Sequence, residues 1–69
     1  MRLSTRNQLT GIVATINPGA VMTVVTVDLD GGQHVTSAIT KDAAEDLALK
    51  VGMPVTVLVK STEVMLGVE

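Results

Sequence analysis

The chain has no cysteine, phenylalanine, tryptophan or tyrosine, and a single histidine among 69 residues. Without thiols no disulfide can brace the fold, and one imidazole cannot complete a structural zinc site. Without aromatic rings there is no platform on which bases stack. Five Lys and Arg against seven Asp and Glu leave a net charge of −2, the wrong sign for a phosphate backbone. Nucleic acid is therefore not an expected partner. Apolar runs are short and broken by Thr, Gly and Asp, so no membrane contact is expected, and Met1-Arg2-Leu3-Ser4-Thr5-Arg6 is not followed by the apolar stretch of a secretory signal. The expected compartment is the cytoplasm.

What is abundant is β-branched and apolar. Hydrophobic residues make up 46% of the chain, and the mean hydropathy is +0.47. A chain of this length buries only ~60% of its unfolded surface when it folds alone. Ordering it costs roughly as much as that burial returns. With disulfides and structural metal excluded, the remaining source of stability is subunit association, which would also cover the surplus apolar surface. No linker, charge block or internal repeat interrupts the chain, so a single domain is expected.

Val, Thr and Ile contribute 12, 9 and 3 residues, which favours strands. The pattern predicts a first strand over Asn7 to Ile16, with Leu9 and Val13 on one face and Ile12, Ala14 and Ile16 on the other. Asn17-Pro18-Gly19-Ala20 has the signature of a type II turn, with Pro at the second position and Gly at the third. A second strand over Val21 to Leu29 sets Val21, Val25, Val27 and Leu29 against Met22, Val24, Thr26 and Asp28. Asp30-Gly31-Gly32 reads as a hairpin connection, and a third strand covers Gln33 to Ile39. Thr40 caps a short helix containing Ala43, Ala44, Leu47 and Ala48, with Lys50 and Gly52 marking its end. Pro54 opens a fourth strand through Lys60, and Glu63 to Val68 forms a fifth. The resulting expectation is an all-β fold: a small five-stranded barrel of the oligonucleotide/oligosaccharide-binding type, with one short helix between strands 3 and 4.

Catalytic constellations are absent from the pattern. His34 sits in a polar hairpin beside Gln33 and reads as a solvated or capping side chain rather than a general base. Asp28 and Asp30 supply too few oxygen ligands for a calcium or magnesium site, and no phosphate-binding glycine loop is present. What remains is hydroxyls beside cations. Ser4-Thr5-Arg6-Asn7 leads into the first strand and Lys60-Ser61-Thr62 follows the fourth. Each sets a fixed positive charge beside hydroxyl and backbone donors at a strand end, which suits a tetrahedral oxyanion. The plainer reading is that Arg6 and Lys60 are ordinary surface charges and the hydroxyls are turn residues.

The segments Ser4-Thr5-Arg6-Asn7-Gln8-Leu9-Thr10-Gly11, Thr36-Ser37-Ala38-Ile39-Thr40 and Lys60-Ser61-Thr62-Glu63-Val64-Met65 strongly resemble the molbindins, the stand-alone molybdate-binding Mop proteins of bacteria. The resemblance covers nearly the whole chain in length and motif order. It implies a single Mop-type domain over residues 1–69, subunits paired through exchanged strands, and a homohexamer built as a trimer of dimers with anions held between subunits. Carried over by position, Ser4, Thr5, Arg6, Ser37, Lys60 and Ser61 are the implied oxyanion-binding residues. The implied function is binding, storage and homeostasis of molybdate or tungstate, with the metal present only as its oxyanion, no organic cofactor and no enzymatic activity. The alternative is a structural or protein-interaction barrel that takes no specific anion.

Overall fold

The computed structural model describes all of Met1 to Glu69. Its elements in chain order are β1 (Asn7–Pro18), β2 (Met22–Leu29), β3 (His34–Thr40), α1 (Lys41–Asp46) and β4 (Pro54–Val59), followed by one turn of 3-10 helix over Ser61–Glu63. The strands form a single antiparallel sheet in the order β3-β2-β1-β4. β1 is the spine. Its first half pairs with β4, from Asn7 opposite Val59 to Ile12 opposite Pro54. From Gly11 to Pro18 its other edge pairs with β2.

A bulge shapes this spine. Val13 stands opposite Val27 and Thr15 opposite Thr26, so Ala14 has no partner in the ladder. One extra residue shifts the alternation by one and bends the strand. As a result Val13 and Ile16 face the same way, and Ile16 packs against the core formed by Val13, Val25 and Val27. The expectation that Ile16 lies on the opposite face from Val13 is thereby corrected. Ile12, on the outer face, is 44% exposed.

The curled sheet leaves a half-barrel whose concave face holds the small core. Leu29, Leu49, Val55 and Val57 line its margin. Thr23 takes the buried place in β2 that the alternation assigned to Val21; Val21 precedes the strand and is exposed. Gly11 is also buried, and a Cβ there would come within 2.6 Å of the Asp28 carbonyl oxygen and of Val27 Cγ1. Bare backbone at that point lets β1 and β2 close tightly.

The connections differ in part from the sequence reading. Gly31 and Gly32 adopt φ of 95° and 94° in the β2–β3 hairpin, as the two glycines suggest. The predicted type II turn at Asn17-Pro18-Gly19-Ala20 does not form. β1 continues through Pro18, the Gly19 N–H donates to the Met22 carbonyl at 2.8 Å, and the chain reverses through Ala20 and Val21. Gly19 is needed there for space, since a Cβ would meet the Met22 carbonyl oxygen at 2.7 Å.

Thr40 caps α1, its hydroxyl accepting from the Ala43 N–H at 3.1 Å. The helix stops at Asp46, before Leu47 and Ala48. Ala48 turns left-handed at φ 51°, while the Ala48 and Leu49 N–H groups donate back to Glu45 and Ala44, the bond pattern of a Schellman ending. Gly52 serves a separate turn, its N–H donating to the Val13 carbonyl at 2.8 Å.

The expected fifth strand is absent. Ser61–Glu63 forms the 3-10 turn, and Val64 to Glu69 run without ladder partners. Met65, Leu66 and Val68 are more than nine-tenths exposed. A strand exists only where another strand accepts its hydrogen bonds, and within one chain no edge meets this segment. The observed architecture is a four-stranded half-barrel with one short helix, and it leaves a concave groove of about 250 Å³ lined by apolar side chains together with Ser37 and Thr56.

Candidate functional site

The β1–β4 ladder brings the two cation-bearing segments to the same end of the sheet. Asn7 and Val59 are its last paired residues, so one further step along each chain reaches Arg6 and Lys60. Thr5 and Ser61 follow, then Ser4. Two side-chain amides fix this end. Asn7 Nδ2 donates to the Val59 carbonyl at 3.0 Å, and Gln8 Nε2 donates to the Thr5 carbonyl at 3.0 Å. The first binds the segments across the ladder and the second folds the amino-terminal segment back on β1.

The cations themselves are free. The one close contact between a basic side chain and a carboxylate joins His34 Nδ1 to Asp28 Oδ1, at the exposed β2–β3 hairpin. Arg6 and Lys60 have no carboxylate partner, and the Ser4, Thr5, Lys60 and Ser61 side chains make no hydrogen bond within the chain. Thr5 is half-buried and the other four are exposed. Two adjacent positive charges repel unless something negative lies between them, and the neighbouring hydroxyls are donors without acceptors. Chemically, the arrangement can hold an anion that accepts several charge-assisted bonds.

Ser37 lies on β3 opposite Val25, two strands away from β1 in the sheet order. The β1–β4 end gathers Ser4, Thr5, Arg6, Lys60 and Ser61, whereas Ser37 is half-buried in the concave groove, whose lining also includes Val57 and Leu58. Asn7 and Gln8 were not among the expected site residues. Their signal was their place: two amides directly after the arginine, where a strand begins and its edge needs closing.

Other clusters are weaker. Thr10 Oγ1 donates to Asp30 Oδ2 at 2.9 Å, and with the Asp28–His34 pair this ties the hairpin tip without forming a metal-binding group. No helix is long and apolar enough to cross a membrane.

Fold and site together define a small antiparallel half-barrel module with two unpaired cations at one sheet end and an apolar groove on its concave face. The chain belongs to the TOBE domain family, whose model matches residues 3–66. It is 44% identical over 66 residues to molybdenum-pterin-binding protein 3 of Clostridium pasteurianum, covering 96% of this chain and 97% of that one. Over the full length of both chains it is 41% identical to a probable molybdenum-pterin-binding protein of Haemophilus influenzae. Among solved structures, the cytoplasmic molybdate-binding protein ModG with molybdate bound superposes with a TM-score of 0.95 at 48% identity. That match covers all of this chain and 49% of ModG.

Proposed function

We propose that this protein binds molybdate or tungstate for intracellular storage and homeostasis, with Ser4, Thr5, Arg6, Lys60 and Ser61 as its oxyanion contacts. The observation that carries the reading is the juxtaposition of Arg6 and Lys60 at one ladder end with no carboxylate between them. Residues 1–69 act as one binding domain in the cytoplasm, without catalysis. An inorganic oxyanion fits this end better than a pterin does. The donors are cationic and hydroxylic, and the chain has no aromatic ring to stack on a pterin plane.

The site is completed by assembly. The surface of one chain is 5450 Å², against about 4,100 Å² for a compact monomer of its mass, and an excess of that order is what a stable interface covers. In this reading Val64 to Val68 of one subunit supply the fifth strand of its neighbour's barrel, filling the groove along Val13, Val25 and Val55. Exchanged strands give dimers, and three dimers give the hexamer. In this reading Ser37 of another subunit joins the oxyanion site, because it stands on β3 and not at the β1–β4 end that carries Arg6 and Lys60.

Titration calorimetry with molybdate, set against Arg6→Ala and Lys60→Ala, tests the reading. Heat of binding in the wild type and its loss in both variants are expected. Equal binding by all three moves the site elsewhere, and no binding by the wild type leaves a structural barrel.

A further inference from the structure

The Gln8 side chain makes a contact that the strand itself does not need. Gln8 is exposed on β1, in step with exposed Thr10 and Ile12 and out of step with buried Gly11 and Val13, which places it on the outer face. A side chain there can bond to water, and fixing its rotamers costs conformational entropy. Gln8 Nε2 nevertheless reaches back to donate to the Thr5 carbonyl at 3.0 Å. A bond so exposed adds little to stability. Its effect is on the direction of one peptide group.

The Thr5–Arg6 peptide is trans, as are all peptide bonds of the chain, so its C=O and N–H point to opposite sides. Holding the carbonyl toward the outer face turns the Arg6 N–H away from that face. This N–H has no acceptor within the chain, and neither has that of Lys60 across the ladder end. Main-chain donors act differently from the side chains beside them. The Arg6 guanidinium and the Lys60 ammonium sit on flexible stems and can follow an anion of any radius. An N–H fixed to the end of a sheet meets an oxygen at one place only.

We propose that Gln8 is a positioning residue of the oxyanion site: by holding the Thr5 carbonyl it aims the Arg6 N–H at the anion between the Arg6 and Lys60 side chains, and this fixed donor helps to select among tetrahedral dianions by size. The inference rests on the oxyanion reading given above.

Gln8→Met keeps the length and neutrality of the side chain and removes its donor. In the full chain, molybdate affinity should fall about three- to tenfold, the range for one uncharged hydrogen bond. Sulfate affinity should fall less, so that the preference for molybdate narrows; a purely structural role would weaken both anions alike. Amide NMR supplies a second readout. On saturation with molybdate the Arg6 N–H of the wild type should shift downfield and exchange more slowly. The amide at position 6 should keep that shift in Arg6→Ala, which retains the main-chain donor, and lose most of it in Gln8→Met. Should Gln8→Met fail to fold, the wild-type and Arg6→Ala spectra decide by themselves. An Arg6 amide unmoved by molybdate, wild-type affinity and preference in Gln8→Met, or equal loss for sulfate and molybdate would each overturn the proposal. Weakened binding in Lys60→Ala beside unchanged binding in Gln8→Met removes the positioning role alone, whereas a wild type that binds no molybdate removes the oxyanion reading with it.

Discussion

The Asn7 side chain donates to the Val59 main-chain carbonyl at 3.0 Å, and the same two residues form the last pair of the β1–β4 ladder. A side chain thus closes the rung beyond which Arg6 and Lys60 diverge. Replacing Asn7 by Ala removes this side-chain bond to the Val59 carbonyl and loosens the end of β1. The expected loss is about 0.5–1.5 kcal/mol of stability, read from urea unfolding, with a larger proportional loss of molybdate affinity because both cations lose their fixed separation.

Arg6→Ala and Lys60→Ala should each weaken molybdate binding by about 1.5–3 kcal/mol, the range for hydrogen bonds to charged groups. His34→Ala should leave it unchanged, because His34 pairs with Asp28 at the exposed hairpin. Calorimetric titration of the three variants checks the contrast.

Selectivity should follow from the donor set. Hydroxyls, amides and fixed cations accept a fully ionised tetrahedral dianion, whereas phosphate at neutral pH still carries a proton that needs an acceptor. Sulfate has the charge but is smaller, and each donor left short costs about 1–3 kcal/mol. Two such losses give discrimination on the order of a hundredfold. Competition against bound molybdate at matched ionic strength measures it. Equal displacement by sulfate would define a general anion patch.

Deleting Val64 to Glu69 should abolish assembly and, with it, much of the stability of the four-stranded sheet. These residues make no ladder contact within the chain, and Met65, Leu66 and Val68 are almost wholly exposed. Light scattering on the truncated chain should report a smaller particle, and an unchanged mass would remove the tail from the interface.

Ala48→Gly should stabilise the chain by about 0.5–1 kcal/mol. The left-handed φ of 51° costs an alanine about 1–2 kcal/mol, part of which glycine gives back through its freer unfolded chain. Ala48→Val should destabilise it, and thermal unfolding of both variants gives the sign.

Much of the fold was legible because its causes are local. Gly31 and Gly32 turn β2 into β3 through positive φ, Thr40 caps α1 with its own hydroxyl, and Pro54 opens β4. Each depends on residues within a few positions. The same holds for the site motif, where Arg6 and Lys60 each stand at a strand end beside hydroxyls.

What tertiary structure alone decided is set by pairing between distant segments. Ala14 bulges because β2 and β4 hold the two halves of β1 in registers that alternation by itself does not contain, and so Ile16 joins Val13 in the core. Thr23 is buried because it stands between Pro18 and Ile39 in the sheet and shares the face of Val25, although its side chain is polar. Glu63 to Val68 have the composition of a strand, but composition supplies no partner, and the chain offers them no ladder. Arg6 and Lys60, 54 positions apart in sequence, become neighbours only through the β1–β4 register. Local sequence determines which conformations each residue tolerates, and the hydrogen-bond ladder, a property of pairs of strands, determines which of them meet.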